Sequence, residues 1–211
     1  MPSCDLIESA RGIVADTSAL INLIASGNAR EIAQALPVPL RVARTVVLEL
    51  EGGCPRWTTN QHLMDLEASG VVAIVDLDSA AVARFEELVV GPASETLDDG
   101  EAATIACALT SDLMALIDER KAGRICRERF PSLTVATTVD VLLSRVTERT
   151  LGAAGVAEAL FHALVRGRMR VPAFQMERVV EILGVERAAL CSSLPTHVRT
   201  LFQGTRVPRR Y

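Results

Sequence analysis

The sequence predicts an α/β protein with a parallel sheet, and three observations carry that expectation. Five short apolar segments rich in β-branched residues punctuate residues 12–137, and short apolar runs bounded by turn signals are typical of strands buried on both faces. Helical patterns separate each segment from the next, and strands alternating with helices build parallel sheets. The composition suits a packed core: of 211 residues, 49% are hydrophobic, 23% charged and only 3% aromatic, so Ala, Val, Leu and Ile must fill it. A chain this long can bury roughly 70% of its unfolded surface without staples. Disordered, collagen-like and disulfide-scaffold classes are excluded on composition.

The elements follow in order. The first strand is expected over 12–16, Gly12-Ile13-Val14-Ala15-Asp16, and Thr17-Ser18 then favours the start of a helix over 18–26. A second helix is expected at 29–36, a strand at 40–43 and a short helix at 45–50. A helix at 58–69, a strand at 71–77 and a helix at 79–89 come next. The run Asp98-Asp99-Gly100-Glu101 matches a capping box and opens a helix over 100–109. A strand at 113–118, a helix at 120–129 and a strand at 133–137 complete the alternation. Beyond it only helices are expected, at 139–149, 155–166 and 174–183. In the second of these Ala159, Leu160, Ala163 and Leu164 share one face. Connections are short and no Gly-, Ser- or Pro-rich linker appears, so these helices should pack onto the sheet. The expected unit is one domain over 1–198, with a core of about 12–150 and C-terminal helices at about 151–187. A basic tail at 199–211 is expected to be disordered.

The net charge of −4 hides an asymmetry. Residues 1–119 carry 6 Arg/Lys against 19 Asp/Glu, net −13; residues 120–211 carry 16 against 7, net +9. Separate acidic and basic surfaces are implied. Cys4, Cys54, Cys107, Cys126 and Cys191 are odd in number and scattered, which suits reduced thiols and offers no zinc ligand pattern. His62, His162 and His197 are isolated as well. No secretory signal or membrane-spanning run is recognisable, and a cytoplasmic protein is expected.

Four acids stand where chemistry is expected. Asp16 ends the first strand and Asp118 the fourth, at the carboxyl edge where open α/β sheets bind ligands. Helix capping explains one such Asp cheaply; it explains two less well. Glu101 has the apolar neighbours Ala102, Ile105 and Ala106, and Glu49 interrupts the apolar stretch Val46-Val47-Leu48-Glu49-Leu50, so both need a partner or solvent. Bringing four carboxylates together is opposed by repulsion and desolvation. A divalent cation offsets that, and Mg²⁺ or Mn²⁺ prefers oxygen ligands. Such an ion activates water and polarises a phosphoryl group, the chemistry of phosphodiester hydrolysis. No Ser-His-Asp, Cys-His or His-Glu-x-x-His arrangement offers another chemistry.

The order of these acids resembles a known family. Ile13-Val14-Ala15-Asp16-Thr17-Ser18-Ala19-Leu20-Ile21 looks like the opening motif of PIN-domain ribonucleases. Thr45-Val46-Val47-Leu48-Glu49-Leu50 resembles their second motif, and Leu97-Asp98-Asp99-Gly100-Glu101-Ala102 a Gly-Glu-Ala variant of the third. Leu116-Ile117-Asp118-Glu119-Arg120 resembles the fourth, and Val135-Ala136-Thr137-Thr138-Val139-Asp140 the segment after the fifth strand. The likeness spans about residues 12–185. It implies a three-layer α/β/α fold with a five-stranded parallel sheet in order 3-2-1-4-5 and extra C-terminal helices.

The resemblance also implies Asp16, Glu49, Glu101 and Asp118 as a catalytic acidic quartet that binds Mg²⁺ or Mn²⁺. Asp16 and Asp118 would be the main ligands, while Glu49 and Glu101 would hold waters or a second ion. Thr17 or Ser18 could orient a carboxylate or water. Many family members have Asp at the third position, so Asp98 or Asp99 could supply that ligand; Glu119 replaces a second Asp of the fourth motif. Many bacterial members are RNA-cutting toxins of VapC-like toxin–antitoxin modules. RNA is thus the implied substrate, and an antitoxin and a second copy in a dimer are implied partners. Arg120, Lys121 and Arg124 follow the fourth motif directly and are candidates for phosphate contacts. A solvated helix face explains them equally simply. Arg166, Arg168 and Arg170 form a second basic run.

Other α/β readings fit less well. A dinucleotide site wants Gly-x-Gly-x-x-Gly after the first strand, where Asp16-Thr17-Ser18 stands. A phosphatase with a nucleophilic Asp wants Asp at position 18. A receiver domain wants Lys where Thr137-Thr138 stands. The remaining alternative is a PIN-like binding module with a degenerate acidic site and no nuclease activity.

Overall fold

The computed structural model describes residues 6–52 and 57–200. Five strands, β1 (Ile13–Ala15), β2 (Leu40–Ala43), β3 (Val72–Val75), β4 (Met114–Leu116) and β5 (Val135–Ala136), form one sheet in the order β3-β2-β1-β4-β5. Every pairing is parallel. The chain therefore starts in the middle of the sheet, builds outward to β3, then returns to place β4 on the other side of β1. The order reverses between β1 and β4.

Helices fill each crossover: α1 (Thr17–Ala25) and α2 (Ala29–Ala35), α3 (Arg44–Gly52) and α4 (Trp57–Ala68), α5 (Ser79–Val89) and α6 (Asp99–Ser111), and α7 (Arg120–Arg129). Alternation along the strands sorts side chains to two faces. Ile13, Ala15, Leu40, Val42, Met114 and Leu116 join one buried cluster. Val14, Ala115 and Ile117 join another with Leu88, Ile105 and Ile125 from α5, α6 and α7. Both faces of the sheet are thus covered, which is why the strands read as continuous apolar runs.

After β5 come α8 (Thr138–Leu142), α9 (Arg145–His162), a π-helical turn (Ala163–Gly167), a 3-10 turn (Ala173–Gln175), α10 (Met176–Leu183), α11 (Val185–Leu190) and α12 (Thr196–Thr200). Val156, Leu160, Leu164, Val179, Leu183 and Ala188 belong to the same buried cluster as β1. The C-terminal helices pack on the sheet's first face, as the short connections suggested.

Helix boundaries differ from expectation after residue 137. The single helix expected over 139–149 is two, because Ser144 caps a new helix: its hydroxyl donates to Val141 O (2.7 Å) and accepts from Thr147 N (3.3 Å). The helix expected to begin at 155 is continuous with that one except at Gly152, whose φ of 68° and ψ of 168° put a kink there. Residues 174–183 begin as a 3-10 turn, and α11 and α12 lie beyond the last expected helix. Cys107, Cys126 and Cys191 are free and buried. Cys4, Cys54 and the tail beyond residue 200 lie outside the described residues. No helix among the described residues is long and apolar enough to cross a membrane.

Candidate active site

The carboxyl ends of β1 and β4 meet where the strand order reverses. Ala15 lies opposite Leu116 in the ladder, and Asp16 N donates to Leu116 O at 3.0 Å. Asp16 and Asp118 therefore leave adjacent strands on the same edge. Asp16 is 1% exposed and caps α1, accepting from Ala19 N at 2.6 Å. The Ser18 hydroxyl donates to both carboxylate oxygens at 3.0 Å. Cap and buried acid are thus one residue, and the capping explanation proves true without being complete. Burial raises the pKa of Asp16 well above the ordinary range, and the negative charges of Asp118 and Glu101 push it further.

Asp118 is half-buried and held by three donors. Thr138 N donates to Oδ1 (2.7 Å), and the Thr138 hydroxyl and Asn22 Nδ2 both donate to Oδ2 (2.6 Å each). Burial raises its pKa, and these three hydrogen bonds work against that. Asn22 is 4% exposed, and among the described residues its Oδ1 has no hydrogen-bond partner. Thr138 opens α8 beside a capping box in which Asp140 Oδ2 accepts from Thr137 N at 2.8 Å. The other Asp140 oxygen accepts from Gln175 Nε2 at 2.7 Å.

Glu49 finds its partner inside the protein. Oε1 accepts from Gly100 N at 2.7 Å, and Oε2 accepts from the Thr17 hydroxyl. Gly100 is required by close approach: a Cβ there would lie 2.7 Å from Thr17 Oγ1 and against the Glu49 carboxylate. Glu101 sits one residue on, its Oε2 accepting from Asp98 N at 3.4 Å. Burial pushes its pKa to about 7, helped by the charges of Asp98 and Glu119 and opposed by Lys121. The Thr104 hydroxyl donates to Ala15 O (3.3 Å) and ties α6 to the end of β1.

The remaining sequence candidates divide. Thr17 orients Glu49 and Ser18 orients Asp16. Asp98 and Asp99 are exposed at the start of α6. Glu119 stands at the N-terminal boundary of α7 with no side-chain capping bond and pairs with Arg170 at 3.3 Å. Arg120 and Lys121 lie in the first turn of α7. Arg124 is engaged, bridging Glu128 (2.7 Å) and Ser94 O (2.9 Å). Asn22, Thr138, Asp140 and Gln175 were not singled out from the sequence. A polar Asn22 among Leu20, Ile21, Leu23 and Ile24 was a signal of the kind Glu49 provided.

Electrostatically Lys121 acts on Glu101, but Asp16 and Asp118 have no cationic partner among the described residues. Among the described residues, every hydrogen-bond donor to Asp16 or Asp118 is neutral, and no Lys or Arg pairs with either. Nor do three His, Cys, Asp or Glu side chains there stand close enough to form a cation cage. Asp16 nonetheless feels the charges of Asp118 and Glu101. Asp16 and Asp118, oxygen donors with raised pKa values and no Lys or Arg paired to them among the described residues, are the kind of donor that a hard divalent ion fits.

No curated protein and no solved structure gives a significant match to the chain. A sequence model of the PIN domain matches residues 12–185, a span that contains every strand and all four acids. With the reversed five-stranded parallel sheet and the acids at its carboxyl edge, that match establishes that the chain belongs to the PIN-domain family.

Proposed function

We propose that the protein is a metal-dependent endoribonuclease acting at the carboxyl edge of β1 and β4, and the toxin of a bacterial toxin–antitoxin module. PIN domains are nuclease-type modules, which supports hydrolase activity. The observation that carries the reading is the juxtaposition of Asp16 and Asp118 at the ends of neighbouring strands, where the charge of Asp118 raises the pKa of Asp16 and, among the described residues, no Lys or Arg pairs with either. Asp16 and Asp118 would hold Mg²⁺ or Mn²⁺, with Glu101 and Glu49 beside them; when bound, the ion supplies Lewis-acid stabilisation of the phosphate and a nucleophile at neutral pH. Ser18 and Ala19 N–H aim the Asp16 carboxylate. Thr138 and Asn22 aim that of Asp118 and leave it few free lone pairs. Glu49 is buttressed by Thr17 and Gly100. RNA is the substrate, and an antitoxin and a second copy of the chain are the partners that go with a toxin role. Residues 1–198 act as one unit in this reading.

One observation favours a second reading, a PIN-like binding module. The carboxylates are already well supplied with protein donors, and no three of them form a cation cage among the described residues. The two readings separate in one experiment. Wild-type protein is incubated with RNA in Mg²⁺, Mn²⁺ or chelator beside Asp16→Asn and Asp118→Asn. The nuclease reading expects cleavage by wild type in metal only, and none by either variant. Equal cleavage by wild type and Asp16→Asn would remove the mechanism. Metal-independent RNA binding without cleavage would favour the binding module.

A further inference from the structure

We propose that the segment from Arg166 to Phe174 is a platform for single-stranded RNA, with arginines on phosphates and Phe174 stacked on a base. The inference rests on the nuclease reading for the identity of its ligand. The segment begins at the end of the π-helical turn, some 46 residues beyond Arg120 in the chain, counting from Arg120 to Arg166. Three separate contacts bring it to the acidic edge. Gly167 lies so close to Asn22 that a Cβ there would fall 2.5 Å from Asn22 Oδ1, and Asn22 holds Asp118. Arg170 Nη1 pairs with Glu119, the residue after Asp118, at 3.3 Å. Gln175, next to Phe174, donates to Asp140 of α8, whose first residue Thr138 also holds Asp118.

The surface this presents has the chemistry of a single-strand binder. Arg166, Arg168 and Arg170 are exposed, and among the described residues Arg166 and Arg168 have no ion-pair partner. Arg168 adopts the left-handed conformation, φ 56°, which disfavours side chains other than Gly or Asn. That turn sends Met169 into the core, 0% exposed, and leaves Arg168 outside. Phe174 is 78% exposed, in a chain with only five Phe. Guanidinium groups track a phosphate backbone, and an exposed ring stacks on any base face. A duplex hides its base faces, so the pairing of Arg with an open Phe selects single strands.

Fluorescence anisotropy of the full chain with a labelled single-stranded oligoribonucleotide, in chelator across a salt series, tests this. Wild type should bind, and the same oligonucleotide annealed to its complement should bind more weakly. Phe174→Ala should weaken binding about fivefold or more, and Phe174→Tyr should restore it. Arg166→Ala with Arg168→Ala should reduce the slope of log affinity against log salt by about 1.4, at about 0.7 per phosphate contact. Circular dichroism melting should show all variants folded like wild type, since the changed side chains are exposed. Unchanged affinity and salt slope in the Phe174→Ala and double Arg variants would overturn the platform, as would equal affinity for duplex. Cleavage measured in Mn²⁺ separates the two proposals. Cleavage with unaltered KM in the variants removes the platform and leaves the nuclease. Strand-selective binding lost in the variants, without cleavage by wild type, removes the nuclease and leaves the platform.

Discussion

Asp16 combines two roles that pull in opposite directions. As a cap it accepts a hydrogen bond that stabilises α1; as a buried acid it is repelled by Asp118 and Glu101. Asn caps a helix about as well as Asp and carries no charge. Asp16→Asn should therefore fold, lose at least about 100-fold in cleavage rate, and melt higher than wild type in chelator at neutral pH. Thermal melting beside an activity assay checks both halves, and a lower melting temperature would show that the cap outweighs the repulsion. Glu101 makes a related prediction about pH. Its pKa of about 7 exceeds that of the unfolded chain, so between pH 4.5 and 7 the folded state binds more protons. Stability in chelator should fall as pH rises through that window, and Glu101→Gln should flatten the decline. Asn22 and Thr138 belong to this scale too. Removing either donor, by Asn22→Leu or Thr138→Val, should cost about 10- to 100-fold in metal affinity or activity, read by metal titration and initial rates. The acids at the strand ends were legible in the sequence because a charge after an apolar run is conspicuous. Their donors were not, because Asn22 reaches Asp118 across 96 residues of chain and only the fold brings them together.

At the scale of elements, α6 shows how a helix start becomes part of a site. Its second residue, Gly100, is where the α3 carboxylate of Glu49 docks on the helix N-terminus, a position that favours negative charge. Gly100→Ala would drive a methyl group into Glu49 and Thr17. It should destabilise the protein by about 1–3 kcal/mol and reduce cleavage, with denaturant unfolding and rates as the measurements. At Gly152 the expected effect is on stability alone. The backbone there lies in a region open essentially only to Gly, so Gly152→Ala should cost about 1–3 kcal/mol while KM stays unchanged. The strands and the helices between them were readable because hydrophobic period and turn residues agree there. The C-terminal helices were less so. Ser144 and Gly152 decide where they break, and each acts through a local cap or dihedral inside an otherwise helical pattern.

Over the whole molecule, the opposing net charges of the two halves resolve into one site. Asp16 and Asp118, both from the acidic first half, stand at the carboxyl ends of β1 and β4, and the basic second half returns to set Arg170 against Glu119. If a divalent ion occupies the acidic edge, it binds only the folded chain. It should then stabilise by about 2.7 kcal/mol at 100 times its Kd, or roughly 5–10 °C in melting temperature. Wild type should show that shift in Mg²⁺ or Mn²⁺, and Asp16→Asn and Asp118→Asn should not. Sequence alone determined the α/β class, the alternation of elements and which acids end strands, because burial on both faces and the change from strand to helix are written in local hydrophobic period. The tertiary structure decided which side chains aim those acids, which cationic segment stands beside them and where the C-terminal helices pack. Those are contacts between residues far apart in the chain, set by the reversal of strand order at β1 and β4 rather than by any local pattern.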